Sequence, residues 1–274
     1  MARDDPGYSI IPQFSGDDAM GKGLENVHRI YLEGIAGGNA RAAVTAYTGH
    51  RYTQHSTGVG DGAEGFLAFF EPFVERNPKR DIRIVRSFED GPWVFCNAYQ
   101  SLNDGAAEWV TMDMFYTDPD GLILEHWDTI APYLAKGASG ADMVGGATEI
   151  DLAADTEANK TIVREYTKQV LQERGYDKSG QFVSNDIIQH AAPIAAGLEG
   201  LTEWVSSDSS GTYDMLFHLM GQGDFVLTYG KRHAHGKDIA VFDLYRVSDG
   251  KIVEHWMNEE EIGPRESWGN SGKF

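Results

Sequence analysis

The chain has 274 residues, 41% of them apolar and 11% aromatic, with a formal net charge of −19 and one cysteine. That length holds two domains of ordinary size. The acidity argues against nucleic-acid backbones and anionic membranes as partners, because both demand a basic face. A lone Cys96 excludes a disulfide framework and a cysteine-rich metal site. No stretch approaches the roughly 20 apolar residues of a membrane span, and residues 1–23 hold no apolar segment of the secretory type, so a soluble cytoplasmic protein is expected.

Residues 1–23, punctuated by Pro6, Pro12, Gly16, Gly21 and Gly23, read as a tail. From 24 to 47, Val27, Ile30, Tyr31, Ile35, Ala43, Val44 and Tyr47 recur at helical spacing around Gly37-Gly38, which predicts two helices at a turn. A short extended piece at 52–55 and a glycine-rich loop follow, then a third helix opening at Gly65 and ending before Pro78. Strands are expected at 82–88, 93–102 and 109–117, and Asp120-Gly121 turns the chain into a fourth at 122–130. Helices followed by hairpins mean an α+β domain, a curved antiparallel sheet closed by helices. Residues 136–158, rich in Gly, Ala and Asp, form the expected linker between domains at 24–135 and 159–274. The glycine-rich end after Pro264 is expected to pack loosely.

The chain says nearly the same thing twice. Gln54-His55 ahead of Gly62 and Gly65 returns 135 residues later as Gln189-His190 ahead of Gly197 and Gly200. Asp113, Asp120-Gly121 and Glu125-His126-Trp127 return in the same order as Asp243, Asp249-Gly250 and Glu254-His255-Trp256. The period is far longer than a solenoid unit, so each copy is a complete domain.

The motif order Tyr52-x-Gln54-His55, Gly62-x-x-Gly65-Phe66, Asp90-Gly91-x-x-Val94, Asp113-x-Phe115-Tyr116 and Asp120-Gly121-x-Ile123-x-Glu125-His126-Trp127-Asp128 resembles a SnoaL-like domain. That family belongs to the nuclear-transport-factor-2-like superfamily, together with ketosteroid isomerase. The resemblance implies two tandem cones, each with helices over a strongly bent sheet and an apolar pocket at the mouth. It also implies dimer-like packing of the two sheets within one chain, with further homo-oligomerisation possible. By spacing, the superfamily's helix tyrosine falls on Tyr31 and Tyr166, its strand carboxyl on Asp113 and Asp243, and its loop base on His55 (or Ser56) and His190. No carboxylate occupies that loop position, which departs from ketosteroid isomerase and argues against steroid isomerisation itself.

Alternate strand residues share a face, so His126, Asp128 and Ile130 point one way and Glu125, Trp127 and Thr129 the other; Asp113 and Phe115 share a face likewise. The resemblance puts the His126/Asp128 row inside the cone. There Tyr31, His55, Asp113, His126 and Asp128 would converge as an acid–base set, with Gln54, Asn97, Tyr99 and Phe115 contacting substrate. A histidine titrates near neutrality, and a carboxyl in an apolar cavity stays protonated and can donate. Trp127 and Trp256 read as packing on the outer face, and Glu125 and Glu254 as a solvated face or an interface pair. The second copy offers His190, Asp243, Tyr166 and His255, but Met257 stands where the first has Asp128, so chemistry is expected first in the amino-terminal half. His233 and His235, with His190 and His255, could ligate a metal only if the fold gathered them; no metal is expected. No phosphate-binding glycine loop, dinucleotide fingerprint or nucleophile elbow occurs, so no cofactor is implied.

The resulting expectation is a cofactor-independent lyase or isomerase acting on a small apolar, aromatic molecule. SnoaL-like domains with this ending are associated with aldol-type reactions, and the tandem form is similar to bacterial diarylpropane lyases, which release formaldehyde from lignin-derived diols. A non-catalytic ligand- or protein-binding module is the alternative of a different class, and a polyketide-cyclase-like or epoxide-hydrolase-like enzyme is the third reading.

Overall fold

The computed structural model describes residues 20–274, so most of the tail expected at 1–23 lies outside the described residues. Helix α1 (Lys22–Arg29) runs directly into a π-helical segment, Ile30–Ala36, and α2 (Ala40–Tyr47) follows the Gly37-Gly38 break. Strand β1 (Thr48–Gln54) and α3 (Gly62–Arg76) lead to four strands: β2 (Arg80–Asp90), β3 (Trp93–Leu102), β4 (Ala107–Thr117) and β5 (Ile123–Pro132). The second half repeats this order with α4 (Thr156–Tyr166), a π-helical Thr167–Gln172, a short α5 (Ser179–Phe182), β6 (Val183–Gln189) and α6 (Gly197–Ser206). Its hairpins are β7 (Thr212–Gln222), β8 (Phe225–Ala234), β9 (Lys237–Ser248) and β10 (Lys251–Glu261). Helix α6 has 10 residues where α3 has 15, and the spacing between copies falls from 135 at Gln54/Gln189 to 130 at Asp113/Asp243.

Among the described residues each half forms one five-stranded sheet, β1-β5-β4-β3-β2 and β6-β10-β9-β8-β7. The hairpins are antiparallel as the pattern predicts. The extended piece at 52–55 proves to be the end of a strand that pairs in parallel with β5, setting Gln54 beside His126, and Gln189 sits likewise beside His255. Turn chemistry fits the register: Asp249 and Gly250 both take positive φ, the mirror-image turn that matches strand twist.

Three cores result. The concave face of each sheet closes on its own helices, around Val27, Val44, Phe66 and Phe115 in one half and Val163, Val170, Leu201 and Tyr245 in the other. The convex faces pack on each other through Phe88, Phe95, Met114 and Trp127 from one sheet and Phe225, Phe242, Leu244 and Trp256 from the other. Each large side chain buried there contributes about 1.5–3 kcal/mol, so the two halves are welded rather than strung.

The segments after β5 and β10 exchange between halves. Leaving β5, the chain crosses onto the second half, where Ala138 N donates to Ala192 O (2.9 Å) and Ser139 Oγ to Gln189 O (2.5 Å). Leaving β10, it returns to the first half, where Gly269 N donates to Thr57 O (2.8 Å) and Asn270 Nδ2 to Ser56 O and Val59 O (2.6 and 2.8 Å). The loosely packed end expected after Pro264 is therefore corrected: Asn270, Gly272 and Lys273 are buried, held because their polar groups saturate otherwise orphaned loop carbonyls. No helix among the described residues is long and apolar enough to cross a membrane.

Candidate active site

The interior of the first cone carries a hydrogen-bonded row. His126 Nδ1 lies 2.9 Å from Gln54 Oε1 and His126 Nε2 lies 2.9 Å from Asp113 Oδ1, while Gln54 Nε2 donates to the Tyr52 hydroxyl at 2.7 Å. The register explains the row: Gln54 pairs with His126 across β1/β5, and Asp113 pairs with Asp128 across β4/β5, one diagonal step from His126. Phe115, the direct partner of His126, stacks on its ring at 4.5 Å. The Tyr31 hydroxyl lies 3.2 Å from Thr111 Oγ1, in the π-helical turn beneath Asp113. Asp113 Oδ2 is buried with no hydrogen-bond partner. Burial pushes the Asp113 carboxyl above its usual range, against the pull of His126.

A carbonyl oxygen can only accept, so His126 Nδ1 carries a proton toward Gln54. Asp113 and His126 Nε2 then share a single further proton, held as carboxylic acid with imidazole or as carboxylate with imidazolium. Such a pair can take up a proton at Asp113 Oδ2 while passing another from Oδ1 to the ring.

Asp128 completes the cluster, with ligand-type atoms of Asp113, His126 and Asp128 all within 4.8 Å of one another. The positive charge among them comes from Lys273, whose Nζ lies 3.0 Å from Asp128 Oδ1, 2.9 Å from Asp128 O and 3.2 Å from Glu260 Oε2. Lys273 is wholly buried and arrives on the returning carboxyl-terminal segment. No local pattern marks it; its only sequence signal is a basic residue in an otherwise acidic chain.

The second cone repeats the row. His255 bonds Gln189 Oε1 (2.7 Å) and Asp243 Oδ1 (2.9 Å), and Tyr245 stacks on it at 4.8 Å. Tyr166, Tyr213, Trp204 and Arg232 line a cavity of about 30 Å³ next to Asp243 and His255, room for a water or two. The Tyr213 hydroxyl and Gln189 Nε2 are buried without partners.

Four expected residues are not gathered there. His55 lies on the opposite side of its sheet, stacked on Trp127 at 4.4 Å, with Nδ1 donating to Gly272 O (2.8 Å) and Nε2 3.2 Å from Glu125. His190 repeats this on Trp256 (4.9 Å), with Asp142 O and Glu254 at 2.6 and 2.9 Å. These histidines clasp the exchanged segments; Gly146 (φ +86°) passes so close that a Cβ would sit 2.0 Å from Glu254 Oε1. Asn97 faces away from the cone too, bonded to buried Arg86 (3.1 Å) and Thr111 O (2.9 Å). Tyr99 shares that face, bonded to Glu108 and packed on Tyr133. The reason is register: Cys96, not Asn97, pairs with Asp113, so the odd-numbered residues of β3 point outward. Glu254 is no solvated residue but is buried against His190 and Arg246. His233 pairs with Asp238 at the surface, and His190 and His255 lie on opposite faces of their sheet, so these four histidines are not brought together.

No protein-family model matches the chain, and no curated protein matches it. Solved structures match one half at a time. A protein from a Jannaschia species, provisionally assigned as a SnoaL-like polyketide cyclase, shares 19% identity over 42% of this chain and 91% of its own (TM-score 0.35). One from Kribbella flavida, provisionally assigned as a ketosteroid isomerase, shares 14% over 41% and 84% (TM-score 0.37). A nuclear-transport-factor-2-like protein of unknown function from Burkholderia xenovorans shares 14% over 39% and 87% (TM-score 0.35). Two curved sheets, each closed by helices and packed back to back, make the chain a tandem of two cone-shaped α+β domains, the architecture expected from its repeated motifs.

Proposed function

We propose that the first cone is a cofactor-independent acid–base catalyst acting on a small, largely apolar aromatic molecule that bears a hydroxyl group. The observation that carries this reading is Asp113 Oδ2, buried and unpartnered inside the cone while its sister oxygen is bonded to His126. An orphaned carboxylate oxygen costs about 1–3 kcal/mol, a cost that a substrate hydroxyl would remove.

The reaction the set serves best is aldol-type carbon–carbon cleavage. The substrate hydroxyl gives its proton to Asp113 Oδ2 as the Oδ1 proton passes to His126 Nε2. The O–H electron pair becomes the C=O of the released aldehyde, and the electrons of the broken C–C bond enter the conjugated remainder. The proton then returns from His126 through Asp113 to the leaving oxygen or carbon. On a diarylpropane-1,3-diol the products are formaldehyde, water and a stilbene, which balances without an oxidant. Asp128 stabilises the transient imidazolium, and Tyr31 orients a ring hydroxyl. A positioned acid–base group is worth about 10²–10⁴ in rate. An isomerase or cyclase reaction would use the same proton pair.

The test is turnover by metal-free, cofactor-free protein on a diarylpropane-1,3-diol and a panel of small β-hydroxy carbonyl compounds, following formaldehyde and stilbene together. Equal amounts of both, lost in Asp113→Asn with the fold intact, support the reading. Silence across the panel, or an Asp113→Asn variant at the wild-type rate, refutes it.

A further inference from the structure

We infer that Lys273, delivered by the carboxyl-terminal segment of the second half, is a positioning residue of the first cone, holding Asp128 as a carboxylate beside the Asp113–His126 pair. The inference rests on the reading of that pair as the acid–base centre.

The delivery is built, not incidental. His55 Nδ1 donates to Gly272 O at 2.8 Å, Asn270 Oδ1 accepts from Gly272 N at 2.8 Å, and the Tyr229 hydroxyl donates to Lys273 O at 3.0 Å. Phe274 packs on the Tyr229 ring at 5.1 Å. The backbone is thus pinned on both sides of Lys273, and the ammonium has one direction to go. Two of its three measured contacts are to Asp128.

The second cone supplies an internal control. Asp142 O binds His190 as Gly272 O binds His55, and the residue that follows this contact along the exchanged segment is Met143 in one case and Lys273 in the other. Asp128 corresponds to Met257, each following the tryptophan of β5 or β10. Both members of the ion pair are therefore methionine in the second half, and both methionines are buried. A charge pair that appears or vanishes as a unit, while the Gln–His–Asp row stays, marks the pair as the variable that separates the two cones.

The groups around Asp128 are Asp113 on β4, His126 on β5, Tyr52 on β1, Tyr229 on β8, Glu260 on β10 and Lys273 on the terminal segment. Burial alone would raise Asp128, but Lys273 and His126 outweigh it and bring it below its usual range. Glu260, the other carboxyl on Lys273, is pushed up by burial whereas Asp128 is drawn down, so Asp128 is the more readily ionised of the two. Neighbouring carboxylates whose environments push them apart divide into acid and base roles. Here Lys273 sets the two carboxyls apart: it draws Asp128 down while burial pushes Asp113 up, so a proton arriving on His126 lies beside the more readily ionised carboxyl.

The experiment is carboxyl-carbon NMR titration of aspartate-labelled full-length protein, with the Asp128 signal identified by its loss in Asp128→Asn. In the wild type Asp128 should titrate below the ordinary aspartate value of about 3.9. In Lys273→Met, or in Lys273→Gln should the first variant not fold, it should rise by at least ~1 unit, while Lys273→Arg keeps it low. Wild-type Asp128 titrating at or above the ordinary value, or unmoved by loss of the lysine, overturns the inference. Where turnover is present, the acid limb of the pH–rate profile should move up with Asp128 in Lys273→Met and return in Lys273→Arg; a stationary limb also overturns it. A shifted Asp128 in a protein that turns over nothing on the panel would leave this assignment standing and remove the proposed reaction.

Discussion

The two cones share a backbone plan and a Gln–His–Asp row with nearly equal hydrogen-bond lengths, yet they differ in what surrounds that row. In the first, a buried Lys273–Asp128 pair adds two charges beside the histidine. In the second, the corresponding chain positions are the buried Met143 and Met257, and Tyr166, Tyr213 and Tyr245 surround a small cavity beside Asp243. The row itself is common to both cones, a polar strut between the parallel strand, β1 or β6, and the rest of its sheet. On the reading proposed above, the ionisation of its neighbours is what suits the first row to proton transfer.

The sharpest way to break this contrast is to treat both rows alike. Asp113→Asn should lower turnover by about 10²–10⁴-fold, whereas Asp243→Asn should leave it near wild type; steady-state rates on a responsive substrate decide, and equal losses would return the chemistry to both cones. Next in size is the surface they share. Trp256→Ala should cost about 3–5 kcal/mol in denaturant unfolding, still as a single transition, because Trp256 belongs to the core common to both sheets. Two separate transitions would show that the halves fold independently.

Converting one cone into the other gives a smaller but more telling effect. The double change Asp128→Met with Lys273→Met recreates the second cone's arrangement, and replacing a buried ion pair by apolar residues is commonly neutral or stabilising by about 1–4 kcal/mol. Stability should hold or rise while turnover falls. The single Lys273→Met change should destabilise, since it strands a buried carboxylate.

The smallest effect concerns pH. His218 sits where the first half has Arg86, packed at a tilt against Trp93 with ring centroids 4.0 Å apart, and burial lowers it from 6.5 to about 4. Its folded value lies below its unfolded one, so the unfolded chain binds more protons in that window. The contribution is complete above about pH 6.5 and is lost as pH falls toward 4. Melting temperature should decline through that window in the wild type and decline less in His218→Phe.

Much of the fold was legible because its signals are short-range. Helical spacing around Gly37-Gly38, alternation along β3 to β5 and the Asp-Gly turns each span a few residues, and the elements observed start or stop within about three residues of the expected ends. The same alternation correctly grouped His126 with Asp128 and Asp113 with Phe115. It failed for Asn97 and Tyr99, because which face of β3 is inner depends on pairing with β4, and a one-residue slip inverts the answer. It failed for His55 because that residue follows a strand whose parallel partner lies some seventy residues away. Gln54, expected to touch substrate, is bonded to His126 and to the Tyr52 hydroxyl.

Sequence by itself determined the duplication, the α+β plan of each copy and the chemical types inside the first cone, since these follow from periodicity and repeated spacing. Only the tertiary structure decided which histidines face the interior, that the two sheets share a core, and that the penultimate residue enters the opposite half. Those facts depend on contacts between segments far apart in the chain, such as Lys273 on Asp128, whose closure is selected by the whole chain's burial and not by any local preference.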